Sequence, residues 1–259
     1  MIKFASKSFK GDYRAKNDDR VAVVTNDYGH ILAVLCDGMG GHSFGDFAAS
    51  NLINSLTVSF NEEYIYQDPI QSKKWITTAI EEAKRELKKA AEQDSAKIHM
   101  GTTLVAALII PKEKRIFIFN AGDSRAYVYT NKNELIQITR DQNFGNSLVD
   151  KGIDSDNAFS HENSRYLTSA IGPNLNTTIE IYDLEAKSYE NIQKILLTSD
   201  GVHEFLYHNE LQHLISQDKD AEQLVEDFIS RAVISQSNDN MSAIVVDFGT
   251  KEGVQNEYH

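Results

Sequence analysis

One cysteine, three prolines and no apolar run long enough to cross a bilayer are the first features of this 259-residue sequence. A single thiol, Cys36, excludes an internal disulfide, and with it the small secreted scaffolds that disulfides hold together. With so few prolines and no serine- or glycine-rich tract, nothing marks a linker. No N-terminal apolar segment resembles a secretory signal or an anchor, so a cytoplasmic protein without membrane partners is expected. Basic residues are scarce too: 26 Lys and Arg face 38 Asp and Glu, a formal charge of −12. Such a chain repels phosphate backbones and anionic lipid, which argues against nucleic acid as a partner and favours cations. The eight histidines show no HExxH spacing, which argues against zinc.

What the chain has is a series of β-rich runs. IKFASKSF, RVAVVTND, HILAVLCD, TLVAALII, RIFIFNAGD, RAYVYT, ELIQIT, IEIYDLE, KILLTSD and SAIVVDF predict about ten strands. Helical periodicity runs from Phe44 through Leu52 to Phe60, from Trp75 through Ile80 to Leu87, and over DAEQLVEDFISRAV. Short turns such as PKEKR and TNKNE imply antiparallel pairing, and helices grouped in pairs would then cover two packed sheets. The expected fold is therefore α+β, in one domain over residues 1–250, with 251–259 as a tail. Residues 141–176 are polar and weakly patterned and read as a surface excursion.

Acids punctuate these runs. Asp37 ends ILAVLCD, Asp123 ends IFIFNAGD, Asp200 ends KILLTSD, and Asp239 stands just before SAIVVDF. In antiparallel sheets, the exits of some strands and the entrances of their neighbours share an edge, so the four carboxylates can meet there. Gathered carboxylates repel one another unless a cation sits among them, and the hard ions Mg²⁺ or Mn²⁺ suit an all-oxygen set. Glycine after Asp37 would let main chains approach closely and expose a carbonyl as a further ligand. The competing reading of any single Asp is a turn or a helix cap. Cys36 lacks the arginine six places on that a cysteine-nucleophile phosphatase loop needs, since His42 stands there, and GMGGHSFG fits neither a dinucleotide nor a Walker loop.

GDYRAKNDD, LCDGMGGH, MGTTLVAAL, NAGDSRAYVY, ITRDQNFGNSLVDKG, LLTSDGVHEFL and SNDNMSAIVV, in that order over residues 11 to 248, resemble the motif series of the metal-dependent protein serine/threonine phosphatases of type 2C in their compact bacterial form. The resemblance implies an αββα sandwich with two Mn²⁺ or Mg²⁺ ions between its sheets and a third held more weakly. It implies Asp37 as the acid bridging the two metals, the Gly38 carbonyl as a ligand of the second, and Asp200 and Asp239 as further ligands of the first. Asp123, with Asp200, would hold the third ion, and Arg14 would grip the substrate phosphate. Asp18 and Asp19 fall where acids orient metal-bound waters, with Asp18 one methylene shorter than the usual Glu. The excursion at 141–176 matches the family's flap, and His161 falls at a recurrent flap histidine on the substrate side.

The implied reaction is hydrolysis of phosphoserine or phosphothreonine in proteins by direct, in-line attack of a metal-activated water, with no protein nucleophile. Two divalent cations neutralise charge developing on phosphorus, and a guanidinium orients phosphate through paired hydrogen bonds. Ser124 and Arg125 are expected to shape the turn that presents Asp123, and MGTT to lie beneath the metals. Met39 stands where animal relatives carry a histidine, so the proton for the leaving group is expected from water on the ion at Asp123, with His42 structural. Phosphoproteins made by a serine/threonine kinase are the expected partners of a monomeric enzyme. An inactive phosphatase-fold scaffold and a small-molecule phosphatase are the alternatives.

Overall fold

The architecture, a computed structural model, describes residues 1–39 and 44–249. Gly40, Gly41, His42 and the tail at 251–259 lie outside the described residues. The strands are β1 (Lys3–Phe9), β2 (Arg20–Thr25), β3 (Ile31–Cys36), β4 (Gly38–Met39), β5 (Gly101–Thr102), β6 (Leu104–Ile110), β7 (Arg115–Ala121), β8 (Arg125–Thr130), β9 (Leu135–Gln137), β10 (Glu180–Leu184), β11 (Ile192–Thr198) and β12 (Met241–Asp247). The helices are α1 (Gly45–Glu62), α2 (Pro69–Gln93), α3 (Phe144–Asp150), α4 (Ser155–Phe159), α5 (Ala186–Asn191), α6 (Asp200–His203), α7 (His208–Ile215) and α8 (Ala221–Ile234).

Two five-stranded sheets carry the fold, in the orders β1-β12-β11-β8-β9 and β10-β7-β6-β3-β2, every neighbour antiparallel. In β3 and β6 every residue is buried, although antiparallel strands with one wet face alternate. The cause is four layers. Leu35, Val105, Ile118, Leu197 and Ile244 pack between the sheets. Leu52, Phe60, Ile80 and Leu87 of α1 and α2 pack with Leu32, Leu108 and Phe119 on the outer face of one sheet. Leu211, Leu224 and Phe228 of α7 and α8 pack with Leu196 and Val245 on the outer face of the other. This is the expected αββα sandwich.

Capping fixes where the helices begin. Asp68 accepts a hydrogen bond from the Gln71 N–H, with Pro69 in the first turn, and Asp220 and Gln223 close a reciprocal capping box on α8. The excursion at 141–176 holds the short helices α3 and α4, so it is more ordered than its polar sequence predicts.

Register sets the functional edge. Arg20 opposes Cys36, Leu104 opposes Ala121, Thr198 opposes Arg125, and Phe9 opposes Met241. The residues just beyond these pairs include Asp18, Asp19, Asp37, Asp123, Asp200, Asp239 and Asn240. Antiparallel pairing alone therefore gathers the acids at one end of the sandwich.

Candidate active site

Asp37 leaves β3 under close control. The Thr103 N–H and the Thr102 hydroxyl both donate to the Asp37 carbonyl, at 2.8 and 3.0 Å, and the Asp37 N–H donates to Thr103 Oγ1 at 3.0 Å. Thr103 Oγ1 also shares a hydrogen bond with Ser124 Oγ at 2.7 Å, which joins the turn bearing Asp37 to the turn bearing Asp123. MGTT is thus the floor beneath the acids. Gly38 answers to geometry: a Cβ there would lie 2.4 Å from the Gly45 carbonyl oxygen and 2.6 Å from that of Asp18. Backbone meets backbone, and only glycine fits.

Asp200 opens α6 and Asp239 precedes β12, and the same rule joins them. A Cβ on Gly201 would lie 2.0 Å from the Asn240 carbonyl oxygen. Asn240 then clamps a third segment: it accepts from the Asp18 N–H at 2.8 Å and donates to the Lys10 and Lys16 carbonyls at 2.7 and 3.0 Å. Asp19 is buried behind the others, where it accepts from Ser199 Oγ at 2.8 Å.

Arg125 forks Asp141 with two hydrogen bonds at 2.8 and 2.7 Å, so it braces the base of the flap as well as the Asp123 turn. The flap is laced by its own backbone, with the Phe144 N–H donating to Tyr166 O and the Gly145 N–H to Ser164 O, both at 2.8 Å. Its far end is held by Lys84, which donates to Leu175 O and Thr177 Oγ1 at 2.8 and 2.9 Å.

One cleft of about 900 Å³ is lined by Arg14, Asp18, Asp37, Gly38, Asp123, Asp200 and Asp239 on one side and by Arg165, Tyr166 and Leu167 of the flap on the other. Asp19 lies beneath it, so eight of the nine residues singled out from the sequence come together. His161 does not line it. Its ring packs edge-on against Phe144 at 5.1 Å between centroids, and its Nδ1 accepts from the Asn163 N–H at 3.1 Å. A histidine in the flap is legible from sequence, but the face it turns to is decided by this packing.

Burial holds the Asp37 carboxyl well above the usual carboxylate range, with Asp19, Asp200, Asp123 and Asp239 adding negative charge. Burial acts on Asp200 in the same direction, next to Asp123 and Asp239. Asp19 is pushed up to about 6 and Asp123 to about 7, in each case chiefly by burial. Asp19 Oδ1 and Asp200 Oδ1 are buried without a hydrogen-bond partner, and Asp18 Oδ1 is buried beside the Lys16 ammonium. Crowded carboxylates with orphaned oxygens fit a hard divalent cation, which would relieve both the repulsion and the missing bonds. Among the described residues no three acidic, His or Cys side chains close on one point tightly enough to hold an ion unaided. The acids ring a cleft, and water and carbonyl oxygen would have to complete any coordination shell.

A family model described as Protein phosphatase 2C matches residues 13–245. The chain belongs to the protein phosphatase 2C family. Solved structures agree along nearly the whole chain. Serine/threonine phosphatase Stp1 from Staphylococcus aureus has a TM-score of 0.86 at 30% identity over 96% of each chain. The serine/threonine phosphatase PstP/Ppp of Mycobacterium tuberculosis has a TM-score of 0.82 at 26% identity, covering 96% of this chain and 99% of that one. The serine/threonine phosphatase stp of Listeria welshimeri is 27% identical over 239 residues, 92% of each chain. Protein phosphatase 2C enzymes are metal-dependent, which agrees with the oxygen-only character of the acid ring.

Several residues of this 2C cleft escape a sequence reading. Asn240 and Ser199 act by holding backbone or acids in place, and nothing in their local pattern announces it. Arg165 reaches across to the residue that follows α6, where its Nη1 donates to Glu204 Oε2 at 2.6 Å. Lys16 stands among the acids, 3.1 Å from Asp18 Oδ1. Arg14 is bonded to Asp239, Nη2 to Oδ2 at 2.5 Å, rather than free in the cleft.

Proposed function

We propose that this chain hydrolyses phosphoserine and phosphothreonine in proteins, with two Mn²⁺ or Mg²⁺ ions and a weaker third. The observation that carries the reading is the ring of five cleft acids, fixed by backbone bonds at one end of a protein phosphatase 2C sandwich. Asp37, Asp200, Asp239 and the Gly38 carbonyl are proposed to hold the ions, and Asp123 with Asp200 the third. When bound, such cations polarise the phosphoryl group and lower the pKa of the attacking water.

The chain's own residues then have separable tasks. Asp18 and Asp19 accept hydrogen bonds and so fix where water sits, with Asp19 held by Ser199. Arg14 offers a guanidinium on the cleft wall that can grip a phosphate dianion. The flap excludes bulk water on the opposite side and presents Arg165 and Tyr166 to the protein around the phosphorylated residue. Met39 lines the cleft and carries no proton, so the leaving oxygen takes its proton from water at the Asp123 side.

The catalytic domain is proposed to span residues 1–250, and its substrates to be the products of a serine/threonine kinase. A monomer suffices, because the chain's own helices cover the outer face of each sheet. A cytoplasmic setting belongs to the same proposal; no described helix is long and apolar enough to cross a membrane. The test is dephosphorylation of a phosphothreonine peptide with added Mn²⁺ and with a chelator. Activity with Mn²⁺ that chelation abolishes is expected, and undiminished turnover after exhaustive chelation contradicts the reading.

A further inference from the structure

The cleft contains basic side chains already paired with its acids. Lys16 Nζ lies 3.1 Å from Asp18 Oδ1 and 3.1 Å from Asp46 Oδ1. Asp46 belongs to the first turn of α1, the helix whose first residue, Gly45, packs on Gly38. Arg20 comes within 4.0 Å of the other Asp46 oxygen and donates from Nε to Ser50 Oγ at 2.9 Å. Lys16 therefore joins the loop that carries Arg14 and Asp18 to the start of α1. Its ammonium is the one cation beside Asp18 Oδ1 among the described contacts, and that oxygen is buried. A compact ammonium on a flexible stem, with 39% of the side chain exposed, can move out to water at small cost.

Resting on the reading of the acid ring as a divalent-cation site, we propose that Lys16 is a resident counter-ion of the cleft. It is a positioning residue that holds Asp18 while the site lacks metal, is displaced as a cation binds, and by its charge sets how tightly that cation is held. Cations separated by less than a Debye length in a partly buried cleft repel with little screening, so Lys16 opposes what Asp18 attracts. The ion pair itself adds little to folding, since its lysine end stays within reach of water. Arg14 on Asp239 is the parallel pairing. Its release by the same exchange gives an order of binding, cation first and phosphate second.

Calorimetric titration of the metal-free full chain with Mn²⁺ alone tests this, using Lys16→Met, Lys16→Gln, Lys16→Arg and Asp239→Asn. The two neutral variants are expected to bind Mn²⁺ about tenfold more tightly, equivalent to about 1.4 kcal/mol, and Lys16→Arg to stay at the wild-type value. Unchanged or weaker binding in the neutral variants overturns the proposal. Equal tightening in Lys16→Arg also overturns it, because a slackened loop rather than charge would then be the cause. Asp239→Asn serves the underlying reading: it should weaken binding, and wild-type affinity there removes the metal site instead of the role of Lys16.

Discussion

Asp37 and Arg165 face the same cleft, yet the chain treats them differently. The turn that carries Asp37 is tied by three hydrogen bonds to Thr102 and Thr103 and by a backbone contact that only glycine permits. The segment that carries Arg165 is folded on itself through α3 and α4, is anchored at its base through Asp141, and at Arg165 meets the opposite wall through an ion pair with Glu204. Like charges must be held at fixed spacing if cations are to replace their missing partners, so that side of the cleft is over-determined. The flap meets a variable protein surface and needs adaptability more than precision. The contrast ranks the consequences of mutation.

The largest losses belong to the acid side. Asp200→Asn and Asp239→Asn each keep the shape and remove a charge, so Mn²⁺ affinity and turnover should both fall by about a hundredfold or more, beyond what supporting residues around a metal typically cost. Circular dichroism should report a folded chain in both. Wild-type Mn²⁺ affinity in either variant would erase the distinction between the two walls.

A smaller effect is expected from the backbone that presents those acids. Gly201→Ala forces a Cβ to within 2.0 Å of the Asn240 carbonyl unless the Asp200 turn or the Asn240 loop moves. Overpacking of this kind costs about 1–3 kcal/mol. Denaturant unfolding should show that loss, and calorimetry a weaker Mn²⁺ response, although no acid has been altered. Stability intact with Mn²⁺ binding intact would mean that the acid side is as pliable as the flap.

The least effect belongs to the flap tie. Arg165→Ala breaks a pair in which the arginine side chain is 77% exposed, so its contribution to stability is below about 1 kcal/mol. Mn²⁺ affinity should be unchanged, while KM for a phosphopeptide shifts severalfold and KM for a small aryl phosphate does not. An equal shift for both substrates would place Arg165 with the acid wall.

The same contrast explains how much was legible. Ten β-rich runs found ten of the twelve strands among the described residues, most plainly β3 and β6, whose burial on both faces leaves continuous hydrophobic sequence. Asp37, Asp123, Asp200 and Asp239 stood out because each stands at the end or the entrance of such a run. The two-residue strands β4 and β5 did not, since Gly38 and Gly101 take their conformation from contacts formed only on folding. α3 and α4 are too short to show periodicity. Their starts rest on caps, Asn143 accepting from the Asn146 N–H and Asp154 from the Asp156 N–H. Arg14 is expected at the substrate phosphate, and its pairing with Asp239, like that of Lys16 with Asp18, is a tertiary fact.

Thermal unfolding against pH, with and without Mn²⁺, reads whether the acid ring exists to be neutralised by cations. The native pKa values of Asp19 and Asp123, about 6 and about 7, lie above the ordinary carboxylate value of 3.8. The native state therefore binds these protons more tightly than the unfolded chain does. Their stabilisation is fully present below the ordinary value and is lost as pH rises through 6 and 7. His203, buried and held well below its usual range, acts in the opposite sense, losing stability on acidification. The increment due to Mn²⁺ isolates the acids, because metal competes with their protons and not with that imidazole. The rise in Tm on adding Mn²⁺ should be large at about pH 7.5, where the bare carboxylates repel, and small at about pH 5, where protons occupy them. A Tm that Mn²⁺ leaves unmoved at the higher pH, or raises equally at both, would mean that cations do not neutralise these acids.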